Sequence, residues 1–101
     1  HEDWAQALRE DTRAAWLRSL RHLATVATKE GRSNDATATL TRLLGVDPYD
    51  ERVHRGLVRN LVRAGRHGEA RRAFARWTEA MASVDVPPPD PAELTPRPRD
   101  G

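Results

Sequence analysis

A repeat at an interval of 34 residues constrains this chain more than any other feature. Laid over residues 51–84, residues 17–50 place Gly31-Arg32 on Gly65-Arg66, Ala36 on Ala70, Leu40 on Phe74, Leu43 on Trp77 and Leu23 on Leu57. A period of this size marks a stack of supersecondary units, each too small to bury its own apolar face. Apolar spacing inside each copy is helical rather than alternating. Val and Thr are scattered while Ala, Arg, Leu and Glu dominate, so strands are not expected. The predicted architecture is all-α, with about four helices paired as antiparallel hairpins and a Pro-rich extended C-terminal tail.

The interval is that of the tetratricopeptide repeat, which wants W-x₂-L-G-x₂-Y, then A-x₃-F, then P. The first copy offers Leu20-x₂-Leu23-Ala24-x₂-Ala27, Ala36-x₃-Leu40 and Pro48. The second offers His54-x₂-Leu57-Val58-x₂-Leu61 and Ala70-x₃-Phe74, with no matching Pro. Small residues at Ala24, Ala36 and Ala70 let helices approach closely, and Leu40, Phe74 and Trp77 fill the space between hairpins. A first helix is expected from about Asp3 to Thr28, with an apolar stripe of Trp4, Leu8, Trp16, Leu20, Leu23, Ala24 and Ala27. Its N-terminal half, around Trp4 and Leu8, either caps the stack or packs on a further element. Ser33 or Asn34 is placed to cap a second helix through about Leu44, which Asp47-Pro48 breaks. Asp50 caps a third to about Ala64, where Gly65 supplies the left-handed stop, as Gly31 does for the first. A fourth runs from about His67 to Ser83. Beyond it, "VPPPDPAELTPRPRDG" has six Pro in 16 residues and does not continue a helix; it extends or docks along the body. The chain thus divides into a helical-repeat domain, 1–83, and a Pro-rich tail or linker, 84–101.

Charge is unevenly placed. The net +2 hides a middle stretch, 51–80, with eight Arg against three Glu, and a tail, 81–101, with two Arg against four acids. Such a local field steers acidic partners. At roughly 100° per residue, Arg52, Arg55, Arg59 and Arg63 fall within an arc of about 80°, opposite His54, Leu57, Val58 and Leu61. The matching helix of the first repeat puts Arg18, Arg21 and Lys29 on the same concave face. These seven cations are the candidate partner-binding residues. A solvated helix face is the plainer explanation, although such faces normally mix signs at i,i+4. The tail itself, through Asp85, Asp90 and Glu93, is a candidate cover for the groove.

Catalytic and metal chemistry find little support. The chain has no Cys, hence no disulfide framework or thiolate site. His54 sits on an apolar face and reads as a packed core residue. His22 and His67 lack ligand partners at metal spacing. Asp47 and Asp50 in "DPYDE" read as a turn and a helix cap, and Gly65-Arg66-His67-Gly68 lacks the phosphate-loop frame. Ser19, Ser33 and Ser83 occupy no strand-to-helix elbow, and the three Trp read as core. No enzyme, metal or cofactor is expected. No apolar run reaches the roughly 18–20 residues of a membrane span. The chain begins at His1 rather than Met and is expected to be a piece of a longer protein, with the cytoplasm as the default location.

The stretch "LLGVDPYDERVHRGLVRNLVRAGRHGEARRAFARW" (43–77) resembles the bacterial transcriptional activator domain, the helical module of actinobacterial antibiotic-regulatory-protein-type regulators. The resemblance rests on Leu43, Leu44, Asp47, Pro48, Tyr49, Glu51, His54, Arg55, Leu57, Leu61, Ala64, Gly65, Arg66, Glu69, Ala70 and Phe74. Trp4, Arg9 and Arg13 fit the family's entry helix. The resemblance implies a non-enzymatic regulatory module that supports oligomerisation and contacts the transcription machinery, with DNA read by a separate winged helix-turn-helix. The chain departs from the pattern in lacking that DNA-reading domain and the usual flanking helices. The expected partner is a protein, RNA polymerase or another regulator domain, held by Arg forks on carboxylates, with a homodimer also expected. Two alternatives stand beside this: phosphate binding by the Arg-rich helix, and a purely structural dimerisation or spacer element.

Overall fold

In a computed structural model that describes residues 2–96, four α-helices account for most of the chain. They are α1 (Glu2–Lys29), α2 (Ser33–Val46), α3 (Glu51–Arg63) and α4 (His67–Ser83). A single 3₁₀ turn, Pro91–Leu94, follows, and no strand occurs among the described residues. The helices pack in chain order, α1 on α2, α2 on α3 and α3 on α4, and the 3₁₀ turn lies on α3 and α4.

The reversals repeat as the sequence does. Gly31 (φ 72°) and Gly65 (φ 76°) are left-handed, which glycine alone adopts without a Cβ penalty. The residue after each donates its N–H back to the helix: Arg32 to the Ala27 carbonyl and Arg66 to the Leu61 carbonyl, both at 2.9 Å. These are Schellman closures. The end of α4 closes in the same way through Asp85 (φ 57°), with Val86 N–H on the Met81 carbonyl at 2.9 Å.

Helix starts follow two designs. Asp50 caps α3 as its type predicts, accepting from the N–H groups of Arg52 and Val53. Neither Ser33 nor Asn34 caps α2. The N-cap is Arg32, without a side-chain cap bond, and its guanidinium binds Asp35 and Glu30 at 2.9 Å each. One period later Arg66 stands at the N-cap of α4 and binds Glu69. A carboxylate in the first turn suits the positive end of the helix dipole. The Arg66 hydrogen bonds hold Glu69 below the usual carboxylate range, and Asp35 followed by Glu30 raises the Arg32 guanidinium above its own. Asn34 instead accepts from Arg66 at 3.0 Å, tying the first hairpin to the second.

One core spans all four helices. Leu20 and Ala24 of α1, Leu40 and Leu43 of α2, most of the apolar face of α3, and Ala70, Ala73, Trp77 and Met81 of α4 join in a single cluster. Ala36 and Ala70 are fully buried, where only a methyl group fits between close helices. Asn60 is the buried polar exception on α3 besides His54; its amide donates to the Ser33 carbonyl (3.2 Å) and the Thr37 hydroxyl (2.8 Å) of α2.

The apolar stripe predicted for α1 is buried only in its C-terminal half. Trp4 and Leu8 are exposed, Trp16 rests partly under the Arg42 guanidinium (5.6 Å), and Leu23 is 54% exposed while its repeat mate Leu57 is 2% exposed. Of the three Trp, only Trp77 is core. The difference is position in the stack: α3 has the first hairpin packed on it, and no described helix precedes α1.

Candidate protein-docking surface

A cleft of about 480 Å³ opens between α1 and α3. Its floor is apolar: Ala24 from α1, Leu40 from α2, Val53 and Gly56 from α3. Gly56 keeps the floor deep, because a Cβ there would stand 3.8 Å above the Leu40 methyls. The hydroxyls of Thr25 and Thr28 on the α1 wall are committed to the Arg21 and Ala24 carbonyls of their own helix. What the cleft offers a ligand is therefore cationic. Arg21 and Lys29 line it from α1, and Arg52, Arg59 and Arg63 from α3.

Five of the seven expected cations thus converge, and two do not. Arg18 is exposed on α1 outside the cleft. Arg55 leans the other way, with its guanidinium 5.1 Å above the Trp77 ring of α4. The arc computed for α3 is real, but it straddles a ridge, so its members face two different neighbours. Nor are the five equivalent. Arg21 is paired with Asp50 at 3.0 Å, and Arg59 reaches Glu93 at 3.4 Å. Lys29, Arg52 and Arg63 form no ion pair among the described residues.

On the α4 side of the ridge lies a second site that the helical wheel does not show. Trp77, fully buried, has Phe74 edge-on at 6.0 Å and the His54 ring parallel at 6.4 Å. His54 is itself buried, and its Nε2 donates to the Pro48 carbonyl at 2.7 Å, a packed core residue pinning the loop before α3. Over this aromatic group the tail segment is laid down. Pro89 is buried, Leu94 packs against the core, and the Glu93 carboxylate meets Arg55 Nε at 3.3 Å and Arg59 Nε at 3.4 Å. Of the three acids that the sequence offers as a cover for the groove, Glu93 alone pairs with the expected cations, Arg55 and Arg59, and it does so from the α4 side; no tail residue among those described lines the cleft between α1 and α3. Asp90 caps the 3₁₀ turn through the Ala92 N–H (2.9 Å), and Asp85 forms the reversal after α4. The portion of the expected tail at 97–101 lies outside the described residues.

Among the described residues no group of three His, Asp or Glu side chains is placed to hold a metal ion, and no helix is long and apolar enough to cross a membrane. Four helices in stacked antiparallel hairpins, with an apolar-floored, cationic cleft between α1 and α3, define an all-helical domain. The family model of the bacterial transcriptional activator domain matches residues 1–91, and the chain belongs to that family, a regulatory rather than a catalytic one. It is accordingly a domain of a bacterial transcriptional regulator. No curated protein and no solved structure matches it.

Proposed function

We propose that the cleft between α1 and α3 docks an acidic segment of a protein partner, RNA polymerase or another domain of the regulator, in the cytoplasm where transcription runs. The observation that carries this reading is the set Lys29, Arg52 and Arg63, without ion pairs among the described residues, around an apolar floor. Arg forks suit carboxylates, and the floor takes the apolar neighbours that accompany them. The test is an anisotropy titration of the labelled chain with RNA polymerase holoenzyme, repeated with Arg52→Glu/Arg63→Glu and with duplex DNA. Saturable binding is expected, weakened at least about tenfold by the double reversal, since truncating or opposing contacts of this kind costs about 2–5 kcal/mol. Equal binding by the variant overturns the docking role of the cleft. Tighter binding to DNA, falling steeply with salt, transfers the Arg to phosphates instead.

A second reading, self-association, is favoured by the exposed Trp4 and Leu8, four residues apart on α1, since exposed apolar side chains that neighbour each other mark interaction sites. Sedimentation velocity is expected to show a dimer that Trp4→Ser/Leu8→Ser converts to monomer. A wild-type chain that stays monomeric at high concentration ends that reading.

A further inference from the structure

We infer that the notch formed by Arg55, Arg59 and Trp77 is a docking site for an acidic peptide, filled in this chain by its own Pro89–Leu94 segment. The partner it fits is a short protein segment with a Pro leading into a 3₁₀ turn that ends in a Glu-Leu pair, the pattern Pro89-x₃-Glu93-Leu94 that occupies it now. Each element of that pattern has a seat. Pro89 is buried, Leu94 meets the core, and the Glu93 side chain, only 17% exposed, lies between two guanidiniums.

The segment is bound as a ligand is bound, through side chains. Its backbone hydrogen bonds stay within itself, Glu93 N–H to the Asp90 carbonyl and Thr95 N–H to the Ala92 carbonyl. None runs from residues 87–96 to α3 or α4 among the described residues. Releasing it breaks no helix or ladder. Pro87, Pro88 and Pro89 hold its lead-in extended and Pro91 starts its 3₁₀ turn, so little chain entropy is lost when it seats and little is recovered when it leaves. The match to one of Glu93's oxygens is imperfect: Oε2 is buried with no hydrogen bond meeting full geometry, only the 3.4 Å ion contact with Arg59. A carboxylate on an unconstrained peptide is free to improve on that.

Arg59 lines both this notch and the open cleft. An occupant of the notch therefore draws one cation away from the cleft, and a partner with acids at both places engages the two sites across one side chain. The inference rests on the reading of α3 as an acceptor of carboxylates. Its test uses no transcription component, so it fails or stands apart from the polymerase experiment.

The probe is a fluorescein-labelled peptide of residues 86–96, titrated with the full chain and followed by anisotropy. In the wild type the tethered copy competes, and apparent affinity falls by the fraction of time the notch is free. Glu93→Lys in the full chain places a cation against two guanidiniums and opens the notch; it is expected to bind the peptide about tenfold more tightly than the wild type. Adding Arg55→Ala/Arg59→Ala to that variant, or replacing the peptide's Glu by Gln, is expected to abolish the gain. Equal affinity of wild type and Glu93→Lys overturns the proposal, as does indifference to the peptide's carboxylate. Circular dichroism is run alongside. If Glu93→Lys loses helix content, the segment is an integral part of the fold and not an exchangeable occupant, which also overturns it.

Discussion

Replacing Trp77 with Ala is expected to destabilise the domain by about 3–5 kcal/mol, the range for emptying a buried aromatic site. A domain of this size holds roughly 5–15 kcal/mol in all, so the loss is a large share of the total. The expectation follows from what the indole touches. It is completely buried, braced by Phe74 and His54, roofed by Arg55, and placed where α3, α4 and the docked tail meet. Neighbouring helices hold that space open, so the cavity does not collapse. Trp77→Phe separates two effects: it keeps an aromatic ring under Arg55 and removes an indole N–H that has no hydrogen-bond partner among the described residues. An orphaned donor costs about 1–3 kcal/mol, so Phe is expected to cost far less than Ala. Urea unfolding followed by circular dichroism ranks the three proteins. A midpoint for Trp77→Ala within experimental error of the wild type would remove Trp77 as the centre of the core.

Ala36→Leu is the second large effect, and it acts by the opposite route. Ala36 has no exposed surface on α2, which packs on both α1 and α3. Three added carbons have no void to enter and force the helices apart, for a cost of about 1–3 kcal/mol. Two positions along the same helix, Ala38 is exposed, and Leu there is expected to change stability by less than about 0.5 kcal/mol. Thermal melts of the pair test the claim. Equal midpoints would mean that the packing of α2 against its neighbouring helices does not depend on a small residue at 36.

The 34-residue interval carried a great deal of this fold in plain view. Gly31 and Gly65 reverse the chain at matching places, Asp50 caps α3, and His67–Ser83 forms α4 as its spacing predicts. The same interval also aligns Asp35 with Glu69, and with them the arginine–acid pairs that start α2 and α4; cap propensities favouring Ser33 and Asn34 hide that signal. Periodicity assigns a face to a helix but does not say what covers it. Leu23 and Leu57 occupy equivalent positions in the sequence, and only Leu57 has a hairpin packed against it. The cationic arc of α3 has the same shortcoming. A helical wheel has no neighbours drawn on it, so it could not divide Arg52 and Arg63, facing α1, from Arg55, facing Trp77. Glu93 was visible as one of three tail acids that could cover the groove, Asp85 and Asp90 being the others, but its selection over those two depends on backbone geometry that they themselves create.

The amide of Asn60 acts as a pawl between the hairpins. It engages one carbonyl and one hydroxyl on a single turn of α2. Sliding α3 along α2 by a fraction of a turn, short of the about 5.4 Å that would bring the Thr37 carbonyl and Thr41 hydroxyl into the same places, would strand that amide in a dry core at a cost of about 1–3 kcal/mol. Axial shear is thereby closed off, and with it the easiest way for the cleft between α1 and α3 to adjust its length. In the docking role proposed for the cleft, a scaffold held in this way would meet its partner as a ruler of fixed gradations, and discrimination among acidic segments would fall to the spacing of their own carboxylates.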